Sequence, residues 1–219
     1  MLFVRLHMLI LALVLSLPMN MALSNEIISV KNIAPSDPSR VRRNYRNTSR
    51  FFQPSYAIFL EGSPKQILKI SNWLDEIFLV PFGRQTIESI HDSGNQVTIR
   101  HSHWALMASG RTSAPISSNL TNGKGEGVII LFDSRIPDSG SHWVFDTFRN
   151  PIEFNAIQNL FHELAHAKHL SNGTWRYFNS EGQAIEEENI FRKQLGETTG
   201  KIDVAMRIGS KGEQIWWPE

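Results

Sequence analysis

The chain of 219 residues is long enough for one domain with a sizeable core. Its 22 Lys and Arg stand against 21 Asp and Glu, and a net charge of +1 gives no global field to attract nucleic acid or an anionic membrane. Cysteine is absent, which excludes disulfides and thiolate metal sites.

The N-terminus has the layout of an export signal. Arg5 and His7 give a weakly positive start, residues 8–17 form a short apolar run, and Ala22-Leu23-Ser24 supplies small residues for cleavage near Asn25. That run is far short of the ~20 residues needed to span a bilayer, so we expect a signal peptide over 1–24 and no stable membrane anchor. A cysteine-free exported chain suits a bacterial product, secreted or periplasmic. Residues 25–55 read as a mobile basic linker: Pro35, Pro38 and Pro54 accompany Arg40, Arg42, Arg43, Arg46 and Arg50, with little to bury.

The folded domain is expected over 56–219. Apolar spacing through Ile67, Leu68, Ile70, Trp73, Leu74 and Ile77 predicts a helix over 64–78, and a shorter one follows over 83–93. Val97 to Arg100 reads as a strand after the Ser93-Gly94-Asn95 turn. Residues 109–127 are rich in Gly, Ser, Asn and Thr and predict a long surface loop. Its GKGEG stretch lacks the spacing and terminal Lys-Ser/Thr of a phosphate loop. Residues 127–133 read as a buried strand that either lines a substrate cleft or sits in the middle of a sheet.

Next comes His162-Glu163-Leu164-Ala165-His166. Chance placement gives HExxH about 0.02 times in a chain of this composition. Asn150-Pro151-Ile152-Glu153 has the chemistry of a helix start, and apolar residues recur at Ile157, Leu160, Phe161, Leu164 and Ala165 until Ser171-Asn172-Gly173 ends the pattern. Histidines four apart share one helix face, so both imidazoles can reach one metal ion, with Glu163 placed to act as a base on a water at that ion. Zinc, one per chain, is the expected metal, and it needs a third protein ligand.

The metzincin continuation fails, because His169 stands where Gly should be and Asn172 where the last His should be. His169 also lies about 10 Å along the helix from His162, too far to close a three-histidine site. A second helix is expected over 181–195, with Ser180 and Gln183 as its capping pair. Glu181, Ala184 and Glu188 share one face of it, so Glu181 or Glu188 is the third ligand, while Glu186 and Glu187 read as solvated.

Phe161 to Ala167, followed by Lys168 and His169, resembles the NleD-like effector metallopeptidases, bacterial zinc proteases delivered into host cells. Downstream the resemblance continues through Glu181, the Ala184-Ile185 pair, Glu188-Asn189 with Arg192, and Leu195-Gly196; upstream, Gly83-Arg84 and Val97 to Ile99 match loosely. It implies an α+β, zincin-like metallopeptidase domain with a small mixed sheet, an HExxH active-site helix and a following ligand helix. It also implies zinc on His162, His166 and Glu181, catalysis by Glu163, and support from Glu188, Asn189 and Arg192. The substrate implied is a protein or peptide, possibly of a host. Two departures stand out: Glu181 is followed by Gly182 where the family doubles the Glu, and most relatives lack an export signal. Tyr177, His101, His103 and Arg207 are the candidates for stabilising the transition state. The alternative function is a catalytically inactive zinc-binding module that meets its partner through residues 109–127.

Overall fold

The computed structural model describes residues 41–45, 57–103, 110–140, 142–199 and 205–208. The expected signal peptide lies outside them. Seven strands and four helices follow one another as β1 (Val41–Asn44), β2 (Ile58–Gly62), α1 (Pro64–Leu79), α2 (Pro81–Asp92), β3 (Val97–His101), β4 (Gly110–Ser113), β5 (Val128–Phe132), β6 (Trp143–Phe145), β7 (Pro151–Glu153), α3 (Ala156–Asn172) and α4 (Ser180–Thr199). The class is α+β with a mixed sheet, as expected. None of the described helices is long and apolar enough to cross a membrane.

Five strands make one sheet in the order β1-β2-β3-β5-β4. β2, β3 and β5 run parallel, and the edges β1 and β4 run antiparallel to their neighbours. The three parallel strands are buried through Ile58, Leu60, Val97, Ile99, Val128, Ile130 and Phe132. Strands lined with apolar side chains in this way belong in a sheet interior. α3 packs on β4 and β5 and against α1, α2 and α4.

The structure departs from several expectations. Within the expected linker, residues 41–44 form a strand, and the linker residues other than 41–45 lie outside the described ones: β1 pairs with β2, and buried Tyr45 donates its hydroxyl to Asp75 (2.6 Å). Arg42 ties this strand down through Glu61 (3.3 Å) and the Phe59 ring, while Arg42 and Arg43 stay exposed. The loop predicted over 109–127 holds β4 and a 3-10 turn over Ser118–Thr121, because Gly110 to Ser113 finds its hydrogen bonds on β5. Finally, Asn150-Pro151-Ile152-Glu153 starts no helix. Asp146 Oδ1 accepts from the Phe148 and Asn150 amides (2.8 and 2.7 Å), which turns the chain back and makes Pro151–Glu153 the second strand of a hairpin with β6.

The capping role passes to Asn155, five residues on. Its Oδ1 accepts from Gln158 N (2.9 Å), and Gln158 Oε1 accepts from Asn155 N (3.0 Å). This reciprocal pair satisfies two amide donors that the first turn of a helix leaves open. Gly173 ends α3 at φ +69°, a left-handed backbone that favours glycine. The expected box at α4 does not form. Ser180 is already helical, and the Gln183 side chain donates to Thr174 O and His169 Nδ1 (2.9 Å each).

Candidate metal centre

α3 and α4 face each other across a cavity of about 640 Å³, whose lining includes His162, Glu163, His166, Glu181 and Arg207. The helical repeat brings His162 Nε2 and His166 Nε2 to 3.2 Å, with the two rings nearly perpendicular. Glu181, in the first turn of α4, reaches across: its Oε2 lies 3.4 Å from His162 Nε2 and its Oε1 3.3 Å from His166 Nε2. The ligand atoms of the three residues lie within 4.8 Å of one another. Both histidines are buried, whereas the Glu181 side chain is 60% exposed and closes the cluster on its open side.

Glu188 sits beneath this cluster and is fully buried. Its Oε2 accepts from His162 Nδ1 (3.0 Å) and Arg207 Nη1 (2.6 Å), and its Oε1 accepts from Arg192 Nε (2.7 Å). A carboxylate on Nδ1 keeps a proton there and aims Nε2 toward His166 and Glu181. Burial raises the Glu188 carboxyl, but the charge of Arg207, the bond from His162 and the charge of Arg192 outweigh it and bring it down to about 2. At His162, burial disfavours the cation, yet hydrogen bonds to Glu181 and Glu188 prevail and push its pKa up to about 9. Glu181 is held well below its ordinary value by its bonds to His162 and His166. The cluster thus favours positive charge between its donors. Two nitrogens and one carboxylate fit a divalent cation of the zinc type.

Arg207 reaches the site on a segment returning after α4. Asn189 clamps it, accepting from Arg207 N (2.7 Å) and donating to Arg207 O (2.9 Å), and the guanidinium lies over Phe154 (4.9 Å). Glu163 turns to the opposite wall. Thr112 Oγ1 on β4 lies 2.5 Å from Glu163 Oε2 and 3.1 Å from Glu163 O. A Cβ on Gly110 would stand 2.5 Å from Glu163 Cγ.

A scan against protein families matches residues 56–201 to peptidase family M91, described as effector protein. The chain belongs to this family. A comparison with curated proteins finds no match. The match runs from the start of the expected domain through both helices of the metal centre and agrees with the suspected resemblance.

In this peptidase the structure brings His162, His166, Glu181 and Glu163 to one cavity and separates the two open candidates for third ligand by depth. Glu181 faces both histidines from the cavity, whereas Glu188 touches His162 from behind. Of the four stabiliser candidates, Tyr177 and Arg207 line the cavity. His101 is turned to Ser134 Oγ (2.8 Å) and stacks edge-on with His103, and neither histidine is among the lining residues. Glu187 departs from the solvated reading, since it pairs with Lys168 and with His169 Nε2 (3.0 Å). Gly182, one of the departures from the family pattern, lies where a Cβ would meet Asn179 Oδ1 at 2.1 Å.

Sequence reasoning missed Gly110 and Thr112, which sit in a stretch whose composition signals only loop. It also missed Phe154 and Trp175, whose rings face His162 (6.3 Å) and His166 (5.5 Å). The Glu188 to Arg192 ion pair, by contrast, follows the i, i+4 spacing and was readable.

Proposed function

We propose that this peptidase is a secreted, zinc-dependent endopeptidase of zincin type, with His162, His166 and Glu181 as ligands and Glu163 as general base. The observation that carries the reading is the convergence of the three donors beside Glu163 in one open cavity. A zinc ion bound there would supply Lewis-acid chemistry, polarising a peptide carbonyl and acidifying water. Glu163 takes a proton from the attacking water as its oxygen bonds to the carbonyl carbon, then delivers that proton to the amine nitrogen as the C–N bond breaks. Glu188 orients His162, and Arg207 and Tyr177, which line the same cavity, are the candidate donors to the developing oxyanion.

Substrate binding falls to β4. The buried strand considered for this role, β5, lies between β3 and β4, so its main chain is already paired on both sides. β4 has one neighbour among the described strands and lines the cavity from Gly110 to Ser113. An extended protein segment can add to its outer edge by main-chain hydrogen bonds. Export, secreted or periplasmic, rests on the pattern from Arg5 to Ser24.

Elemental analysis of the dialysed mature chain should give about one zinc per molecule, strongly reduced in Glu181→Ala. Glu163→Gln should keep its zinc and lose turnover by about 10²–10⁴-fold on peptides that the wild type hydrolyses, read by mass spectrometry. Hydrolysis retained in Glu163→Gln would sink the mechanism. Zinc bound with no peptide cleaved would favour the inactive partner-binding module.

A further inference from the structure

Glu163 carries the proposed chemistry, yet a glutamate on a helix has several staggered rotamers open to it. Among the described residues one side chain fixes its carboxylate, and that is Thr112. The hydroxyl has a single proton to give. It lies 2.5 Å from Glu163 Oε2 and 3.1 Å from Glu163 O, and the shorter contact has the length of a charge-assisted O–H···O⁻ bond.

Gly110 stands two residues earlier on the same face of β4. Any side chain there would occupy the space of Glu163, since an added Cβ would come within 2.5 Å of Cγ, 2.8 Å of Cδ and 2.8 Å of Oε1. Both positions are set by the sheet: Gly110 pairs with Phe132 and Thr112 with Ile130, two fully buried core residues.

We propose that the Gly110/Thr112 face of β4 is the positioning element of the general base, Thr112 selecting the carboxylate rotamer and Gly110 leaving room for it. The inference rests on the peptidase reading above and deepens it. One short strand then holds the base on its inner face and receives substrate along its outer edge. Scissile carbonyl and base are thereby referenced to the same rigid backbone, which is what a near-attack geometry requires. Thr112 touches no reacting atom; it acts through Glu163.

The test compares Thr112→Val, Thr112→Ser and Gly110→Ala in the full mature chain. For Thr112→Val we expect kcat to fall about 10–100-fold with KM within about twofold, on the scale of a reacting group displaced by about 1 Å. Zinc content should stay at the wild-type level. Thr112→Ser should restore most of the lost rate, and Gly110→Ala should lower kcat at least as far as Thr112→Val. A second readout needs no turnover: the carboxylate ¹³C resonance of Glu163, assigned by its absence in Glu163→Gln, should move in Thr112→Val and Gly110→Ala and return in Thr112→Ser.

Wild-type kcat in Thr112→Val, an unmoved resonance, or Thr112→Ser as impaired as Thr112→Val would each overturn the proposal. Joint loss of zinc and rate would overturn it too, by showing a merely structural role. If Thr112→Val does not fold, the resonance and kcat of Gly110→Ala decide. A wild type that binds zinc but hydrolyses no peptide defeats the peptidase reading alone, and the resonance still reports whether Thr112 holds Glu163.

Discussion

Two histidine–glutamate clusters join α3 to α4, and only one of them, among the described residues, brings three possible metal ligands together. In the cluster of Lys168, His169, Thr174, Gln183 and Glu187, every polar atom of the imidazole is engaged. Thr174 Oγ1 (2.7 Å) and Gln183 Nε2 (2.9 Å) face His169 Nδ1, and Glu187 Oε1 (3.0 Å) faces its Nε2. Lys168 supplies the positive charge from within the chain. In the cluster of His162, His166 and Glu181, two Nε2 atoms approach to 3.2 Å and the carboxylate stands on the cavity side. The residue types are alike. What separates a candidate metal centre from a structural lock is the convergence of three possible ligand atoms on one point at a cavity.

The sharpest way to break this contrast is to exchange its members. His166→Ala should bring zinc from about one per chain to near none, with turnover lost, because two donors hold the ion far more weakly than three. His169→Ala should leave zinc content at the wild-type level, and elemental analysis of the two variants side by side decides the matter. Glu188→Ala comes next. It strands Arg192 and Arg207 beside a cavity in the core, and should cost on the order of 3–5 kcal/mol in urea unfolding. Zinc affinity should weaken about 10–100-fold in the same variant, since His162 loses the acceptor that orients it.

The smallest expected effect belongs to the lock. Burial raises the Glu187 carboxyl, but its hydrogen bond from His169 and the Lys168 charge hold it below the ordinary 4.5. A depressed folded value means that the stabilisation is fully present above 4.5 and fades as pH falls through the folded value. Glu187→Gln should therefore cost about 1–3 kcal/mol at neutral pH and nearly nothing once the wild-type carboxyl is protonated. Parallel unfolding curves for both proteins at every pH would show that the pair contributes nothing.

The histidine pair of the candidate metal centre was legible because helical spacing is local: two histidines four apart need only a helix to meet. The choice between Glu181 and Glu188 was not settled by spacing, as both share a face of α4. The two differ in depth, and Glu188 is buried against Arg207, nineteen positions further on, which enters beside it. The start of α3 failed for a related reason. Asn150 to Glu153 and Asn155 to Gln158 offer the same capping chemistry, and the hydrogen bonds of Asp146 in the β6–β7 turn select the second. β1 and β4 carry one branched residue each, Val41 and Thr112, among arginine, asparagine, glycine and serine. Their strand form comes from the apolar neighbours they pair with, not from their own propensity.

The two edges of the main sheet have a consequence for life in a crowded solution. An edge strand with a neighbour on one side only, as β1 and β4 have among the described strands, invites another chain, including another copy of the same protein, and is a starting point for cross-β aggregation. β1 discourages such stacking with the exposed charges of Arg42 and Arg43. If β4 receives substrate as proposed, it has to remain receptive, and its safeguards are different: four residues of length, a glycine at its start, the exposed charge of Arg111, and a place in the wall of a cavity. A lone flexible segment can be threaded into such a slot, whereas the flat flank of a second sheet has no way in.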